Sequence, residues 1–236
     1  MHFTIPVINS SENVNNNDKY INELKKLKGK NWSLFPSVYG TNFLRRSDLM
    51  KRLLDIIGAL FCLLILCPFL LLIAIGIKID SNGPIIYKQR RITCNDQEFI
   101  MYKFRTMAVG TPELATEDMG DGRLYITRIG YYLRKLSLDE VPQLVNILLG
   151  QMSFVGPRPA IHLEYELRRL RNAAGMQQVK PGLTGWAQIN GRDDIPLLKK
   201  FELDKYYMEN QSLWLDLKIM CRTIKYVVAG SGNKLA

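Results

Sequence analysis

The 236-residue sequence has little of what metal and redox centres are built from: four cysteines with no CxxC spacing, and two histidines, His2 and His162. A zinc site is not expected from that supply, and Cys62 and Cys67 fall inside an apolar run, where a small hydrophobe is the usual role. A reduced, cytosol-facing protein is the expectation. No GxGxxG follows a strand-like segment and no GxxxxGK[ST] occurs, so neither a dinucleotide fold nor a P-loop is supported. Residues 1–20, MHFTIPVINSSENVNNNDKY, lack the basic head and apolar stretch of a secretory signal. Their Asn and Ser content is that of a mobile tail. The chain shows no internal repeat.

What the sequence does carry is positive charge and one long apolar run. A net charge of +10 predicts a polyanionic partner: nucleic acid, an anionic bilayer or a phosphorylated substrate. With 47% hydrophobic residues there is material for one main domain. Residues 53–79, LLDIIGALFCLLILCPFLLLIAIGIKI, are charged only at Asp55 and Lys78. Roughly 20 apolar residues suffice to cross a bilayer. Pro68 sits near the centre and favours a kink, since it removes a backbone donor and clashes with the preceding turn. Arg45, Arg46, Lys51 and Arg52 precede the run, and Lys78, Lys88, Arg90 and Arg91 follow it. Basic flanks mark the cytoplasmic side, so basic residues at both ends predict a re-entrant helical hairpin turning at Cys67 and Pro68. A single kinked spanning helix is the alternative.

The rest divides into short elements. A turn signal at Ser81, Asn82, Gly83 and Pro84 leads into a β-like segment, and EFIMYKFRTM reads as a strand with a basic end at Lys103 and Arg105. The acids Glu117, Asp118 and Asp121 match no calcium loop and read as surface. RIGYYLRKL predicts a short helix, and AIHLEYELRRLRNAAGMQQV a longer amphipathic one stopped at Gly175. KPGLTGWAQINGR predicts a structured loop. Residues 195–232 predict one or two amphipathic helices whose aromatic and lysine content suits either a bilayer interface or cover for the core.

Asp139 and Glu140 are adjacent carboxylates within LRKLSLDEVPQLVNILLGQMSFVGPRP, residues 133–159. Ser137-x-x-Glu140 has the capping-box form, although Pro142 fits a helix that starts nearer Asp139. In either register the acids lie at a positive helix end. Adjacent helical residues diverge by about 100°, so the two carboxylates are expected to have different jobs. One, held ionised near Arg134 and Lys135, is suited to attack phosphorus; the other is suited to a divalent metal or its water shell. Phosphoryl transfer also needs cations on the phosphate oxygens. Arg158, framed by prolines in GPRP, and the Lys103 and Arg105 pair supply them.

Taken together, YKQRR, YKFRTM, the 133–159 stretch and KPGLTGWAQINGR resemble, in the same order, the motifs of the bacterial sugar transferases, more exactly the monotopic polyprenyl-phosphate phosphoglycosyl transferases. The resemblance runs from Lys51 to the C-terminus. It implies an α+β, mainly helical fold: a re-entrant membrane helical hairpin on a small cytosol-facing catalytic domain with amphipathic interfacial helices. The expected layout is a polar extension at 1–45, the membrane helix at 46–80 and the catalytic domain at 81–236. By analogy Asp139 is the nucleophile that takes sugar-phosphate from a UDP-sugar and releases UMP. Undecaprenyl phosphate then receives the sugar-phosphate. Mg2+ is implied beside Asp139 and Glu140, and Arg158 holds phosphate, with Lys103, Arg105 and Arg134 as further basic positions. Members often carry serine before the hairpin proline, where this chain has Cys67. Larger members have extra N-terminal spans, so this chain resembles the small form. The implied location is the cytoplasmic face of the bacterial inner membrane, with membrane lipids as partners, no nucleic acid, and a homodimer left open. Two rival readings remain: a membrane-associated glycosyltransferase that releases UDP, against which no Asp-x-Asp motif is found, and a basic membrane-anchored scaffold with no activity.

Overall fold

The computed structural model describes residues 46–111, 122–161, 164–191 and 195–229. The expected extension at 1–45 and the acids Glu117, Asp118 and Asp121 lie outside them. The described residues form an α+β, mainly helical structure that begins with one long helix, α1 (Arg46–Asp80). The β-hairpin β1 (Ile86–Ile92) and β2 (Glu98–Phe104) follows. Next come α2 (Arg128–Lys135), α3 (Gln143–Leu148) and β3 (Ser153–Val155). After α4 (Tyr165–Ala173), β4 (Gly182–Thr184) runs parallel to β3. The chain closes with the short α5 (Trp186–Ile189), then α6 (Leu197–Glu209) and α7 (Leu213–Val228).

The apolar run is helical on both sides of Pro68. Pro68 lies inside α1, and both Cys67 and Pro68 are exposed. The missing donor costs one hydrogen bond, which the leucine-rich turns on either side outlast. At 35 residues α1 is about 52 Å long, more than the roughly 30 Å of a hydrocarbon core. Among the described residues, Asp48–Asp80 is the one helix long and apolar enough to cross a membrane.

Both ends of α1 are fastened to the same folded body. Near its start Lys51 donates to Val155 O (3.0 Å), the Tyr207 hydroxyl (3.2 Å) and Asp216 Oδ2 (2.5 Å). Arg52 caps the last carbonyls of α3, Ile147 O and Leu148 O, and Asp55 accepts from Ser153 Oγ and Phe154 N. Ala59 is buried with Phe99, Met101, Leu144, Ile147 and Met152. About 27 Å further along the helix, Ile77 is buried with Phe104 and Leu133, and Asp80 accepts from Ile129 N. The opposite face of α1, including Phe61, Leu64 and Leu72, is exposed.

The exit from α1 is locked by Arg105. Its two terminal nitrogens donate to Asn82 O, Ser81 O and Ser81 Oγ. Gly83 makes this possible: its φ is +129°, and a Cβ there would fall 1.9 Å from the Arg105 guanidinium.

The hairpin turns through Asn95 and Asp96, both at φ 55°, the positive dihedrals that a tight two-residue turn needs. It pairs Arg91 with Phe99 and Lys88 with Tyr102. The side chain of Asn146 on α3, completely buried, accepts from Tyr102 N and donates to Ile100 O, which fixes α3 against β2. A second core joins Val155, Ile189, Tyr207, Leu215 and Ile219. α7 gives that core its buried face and leaves Trp214, Leu217 and Ile224 exposed beside Lys218, Arg222 and Lys225.

Candidate active site

The β2–α3 joint places the acids. Lys103 continues the inward face of Phe99 and Met101, so its ammonium emerges beside the turn that precedes α3 and meets Glu140 Oε1 at 2.9 Å. That turn is a single 3₁₀ turn, Leu138–Glu140, and the expected capping box is absent: Ser137 stands at φ 54° with no side-chain bond to the helix, and Glu140 binds Lys103 instead. Pro142 takes the position just before α3, where it needs no donor. The two carboxylates meet different surroundings. Glu140 faces a small open cleft, whereas Asp139, 8% exposed, is set back from it.

Their electrostatics diverge as well. Burial and the neighbouring Glu140 push Asp139 up to about 6, against the pull of Lys103 and Arg134. Desolvation outweighs the nearby cations, yet a carboxyl at about 6 is still mostly ionised at neutral pH. Burial acts the same way on Glu140, but Lys103, Arg158 and Arg91 overcome it and hold that carboxyl below its usual range. Arg134 donates from Nε to Thr106 Oγ1 (2.9 Å), and burial lowers its pKa while the Asp139 charge raises it.

Arg158 projects from a backbone tied at every carbonyl. Gly182 N donates to Pro157 O (2.9 Å), Arg171 Nη1 to Arg158 O (2.9 Å) and Arg91 Nη1 to Pro159 O (3.0 Å). Arg171 is itself paired with Asp204 at 2.6 Å. The KPG loop approaches closely because both partners are glycine: a Cβ on Gly182 would lie 2.1 Å from Gly156 N. The expected structured loop is thus β4 running into α5, pressed against the Arg158 segment.

The structure brings Lys103, Glu140 and Arg158 to one cleft, with Asp139 and Arg134 adjoining. It does not bring Arg105, whose terminal nitrogens close the exit of α1. Cys67 and Pro68 lie within α1, away from these groups. Three cleft residues escaped the sequence reading: Arg91, Gln143 and Gln188. Arg91 left a signal in QRR, because its position opposite Phe99 turns a charge inward. No three carboxylate, thiolate or imidazole groups converge among the described residues. The oxygen donors at the acidic turn are Asp139 and Glu140, a supply that suits an ion such as Mg2+, which takes one or two carboxylates and completes its shell with water and substrate phosphate.

Comparison with known proteins gives the family. The sequence profile of the family described as bacterial sugar transferase matches residues 46–230. An uncharacterised sugar transferase of Bacillus subtilis, EpsL, is 40% identical over 185 residues, which cover 78% of this chain and 90% of that protein. The UDP-glucose:undecaprenyl-phosphate glucose-1-phosphate transferase of Caulobacter vibrioides is 40% identical, covering 75% and 69%. A UDP-N-acetylgalactosamine-undecaprenyl-phosphate N-acetylgalactosaminephosphotransferase of Aeromonas hydrophila is 36% identical, covering 78% of this chain and 45% of its own length. The chain spans under half the length of several such relatives. The chain belongs to the bacterial sugar transferase family and is an enzyme of the transferase class.

Proposed function

We propose that this enzyme moves a sugar-1-phosphate from a UDP-sugar to undecaprenyl phosphate and releases UMP, through a covalent intermediate on Asp139. The observation that carries the mechanism is the splitting of two adjacent carboxylates beside a cation-lined cleft: Asp139 made more basic, Glu140 held charged. A carboxylate with a raised pKa is the better nucleophile once ionised, and Glu140, neutralised by Lys103, is the poorer one. An Asp139 oxygen attacks the β-phosphorus of the donor, the bond to the bridging oxygen breaks, and its electron pair leaves on the phosphate of UMP. A phosphate oxygen of the polyprenyl carrier then attacks the same phosphorus, and the Asp139 carboxylate departs. Neither step needs a proton shuttle. Both need positive charge on the phosphate oxygens, which Lys103, Arg134 and Arg158 supply. Bound Mg2+, held by Asp139 and Glu140, would add Lewis-acid neutralisation of phosphate charge.

The attachment of both ends of α1 to one folded body favours a helix that enters a single leaflet and returns, with the catalytic body on the cytoplasmic face of the inner membrane. The exposed apolar stripe of α7, flanked by lysine and arginine, suits the same surface. The reaction would be the first membrane step of a surface glycan pathway.

The test mixes the purified enzyme with a panel of UDP-sugars, Mg2+ and undecaprenyl phosphate and identifies the released nucleotide, with Asp139→Asn alongside. UMP that disappears in the variant supports the reading. UDP would make the protein a glycosyltransferase. Absence of turnover across the panel would point to a donor outside the panel.

A further inference from the structure

We infer that Arg91 and Arg158 form a paired guanidinium grip for the diphosphate of the donor, so that the cleft prefers a nucleoside diphosphate to a monophosphate. The inference rests on the donor being a UDP-sugar, and it assigns a second phosphate contact in the same site.

Arg91 is 6% exposed, yet it lines the cleft with Arg158. Gln89 Oε1 accepts from its Nε (3.1 Å) and Nη2 (2.7 Å), and Pro159 O accepts from Nη1 (3.0 Å). These contacts use three of the five N–H groups of a guanidinium, leaving one on each terminal nitrogen. The fork is held in a set plane with donors to spare, which is the geometry a phosphate pair accepts bidentately.

The charges around it are arranged at a cost. Burial and then the Arg158 charge bring Arg91 down to about 10. The two carboxylates that pull the other way are each engaged by a lysine: Glu140 by Lys103 at 2.9 Å and Glu164 by Lys200 at 3.2 Å. Among the described residues lining the cleft there are three cations, Arg91, Lys103 and Arg158, and one carboxylate, Glu140. The surplus of two positive charges is the complement of a diphosphate diester. A brace for Pro159 alone would not call for a desolvated cation set against a second arginine, since a neutral amide makes that bond without the repulsion.

Binding separates a phosphate grip from a brace. UDP and UMP are titrated calorimetrically into the full-length enzyme in detergent, for wild type, Arg91→Met, Arg91→Lys and Gln89→Met. Arg91→Met is expected to weaken UDP about tenfold or more and UMP about twofold or less, the loss of a charge-assisted bond made only by the diphosphate. Arg91→Lys keeps the charge without the fork and falls between. Gln89→Met frees the fork and costs UDP a few-fold. Should Arg91→Met fail to fold, the other two variants read the same UDP-to-UMP ratio. An unchanged ratio, whether both nucleotides weaken equally or neither does, overturns the inference and leaves the proposed reaction standing. Wild-type protein that binds neither nucleotide overturns both.

Discussion

Two clusters of buried charge are built from the same residue types to opposite ends. Around Lys51 every donor is used: its three N–H groups meet Val155 O, Tyr207 and Asp216, and the Tyr207 hydroxyl lies 2.7 Å from the other Asp216 oxygen. Burial and Asp216 drive the Tyr207 pKa upward, so the phenol stays neutral. Around Arg91 three N–H groups are engaged and two are left over, and Asp139 nearby is held at about 6. A charge cluster that closes on itself fastens two elements together. One left open is ready for something that arrives.

Substitutions can break this contrast from either side. The largest effect is expected from Asp139→Asn, which should lower UMP release by about a thousandfold or more while the protein stays folded, read by single-turnover assay and thermal melting. Lys51→Met leaves the buried Asp216 charge unpaired and should cost about 3–5 kcal/mol of stability in denaturant titration. Adding Asp216→Leu should restore most of it, since removing both charges removes the penalty.

The pH dependence sharpens the comparison. The folded state raises the Asp139 pKa, so this residue favours folding below the ordinary carboxylate range and loses that contribution as pH rises through about 6. Asp139→Asn should therefore be more stable than wild type by on the order of 2 kcal/mol at pH 8 in a chelating buffer, the difference vanishing toward pH 4. The smallest change is Tyr207→Phe: about 1 kcal/mol in stability and no change in the released nucleotide.

Much of this was legible in the sequence because it is local. The strand with a basic end, the helix stopped at Gly175 (φ 73°) and the α2 helix follow from residues within a few positions of one another. So does the projection of Arg158 from its proline frame. The fastening of α1 at both ends was not legible, because it depends on Lys51 meeting Asp216 and Asp80 meeting Ile129, residues far apart in the sequence. The capping box failed for a related reason: Lys103, 37 residues away, outbids the helix terminus for Glu140. Arg105 looked like a phosphate ligand from its neighbours in YKFRTM, and only the fold shows Ser81 and Asn82 occupying it. Arg91 needed the hairpin register, and Asn146 needed the meeting of α3 with β2.

A helix pinned at Lys51 and again at Asp80 cannot serve as a leash. A leash lets a catalytic head sample many heights above a surface and makes each encounter with a lipid a search in three dimensions. Here any tilt of the helix is a tilt of the head, and the distance from the exposed leucines of α1 to Glu140 and Arg158 is set by folding. For the proposed reaction at a bilayer, altitude is then a property of the protein, and a lipid-borne substrate has only to find it by sliding in the plane.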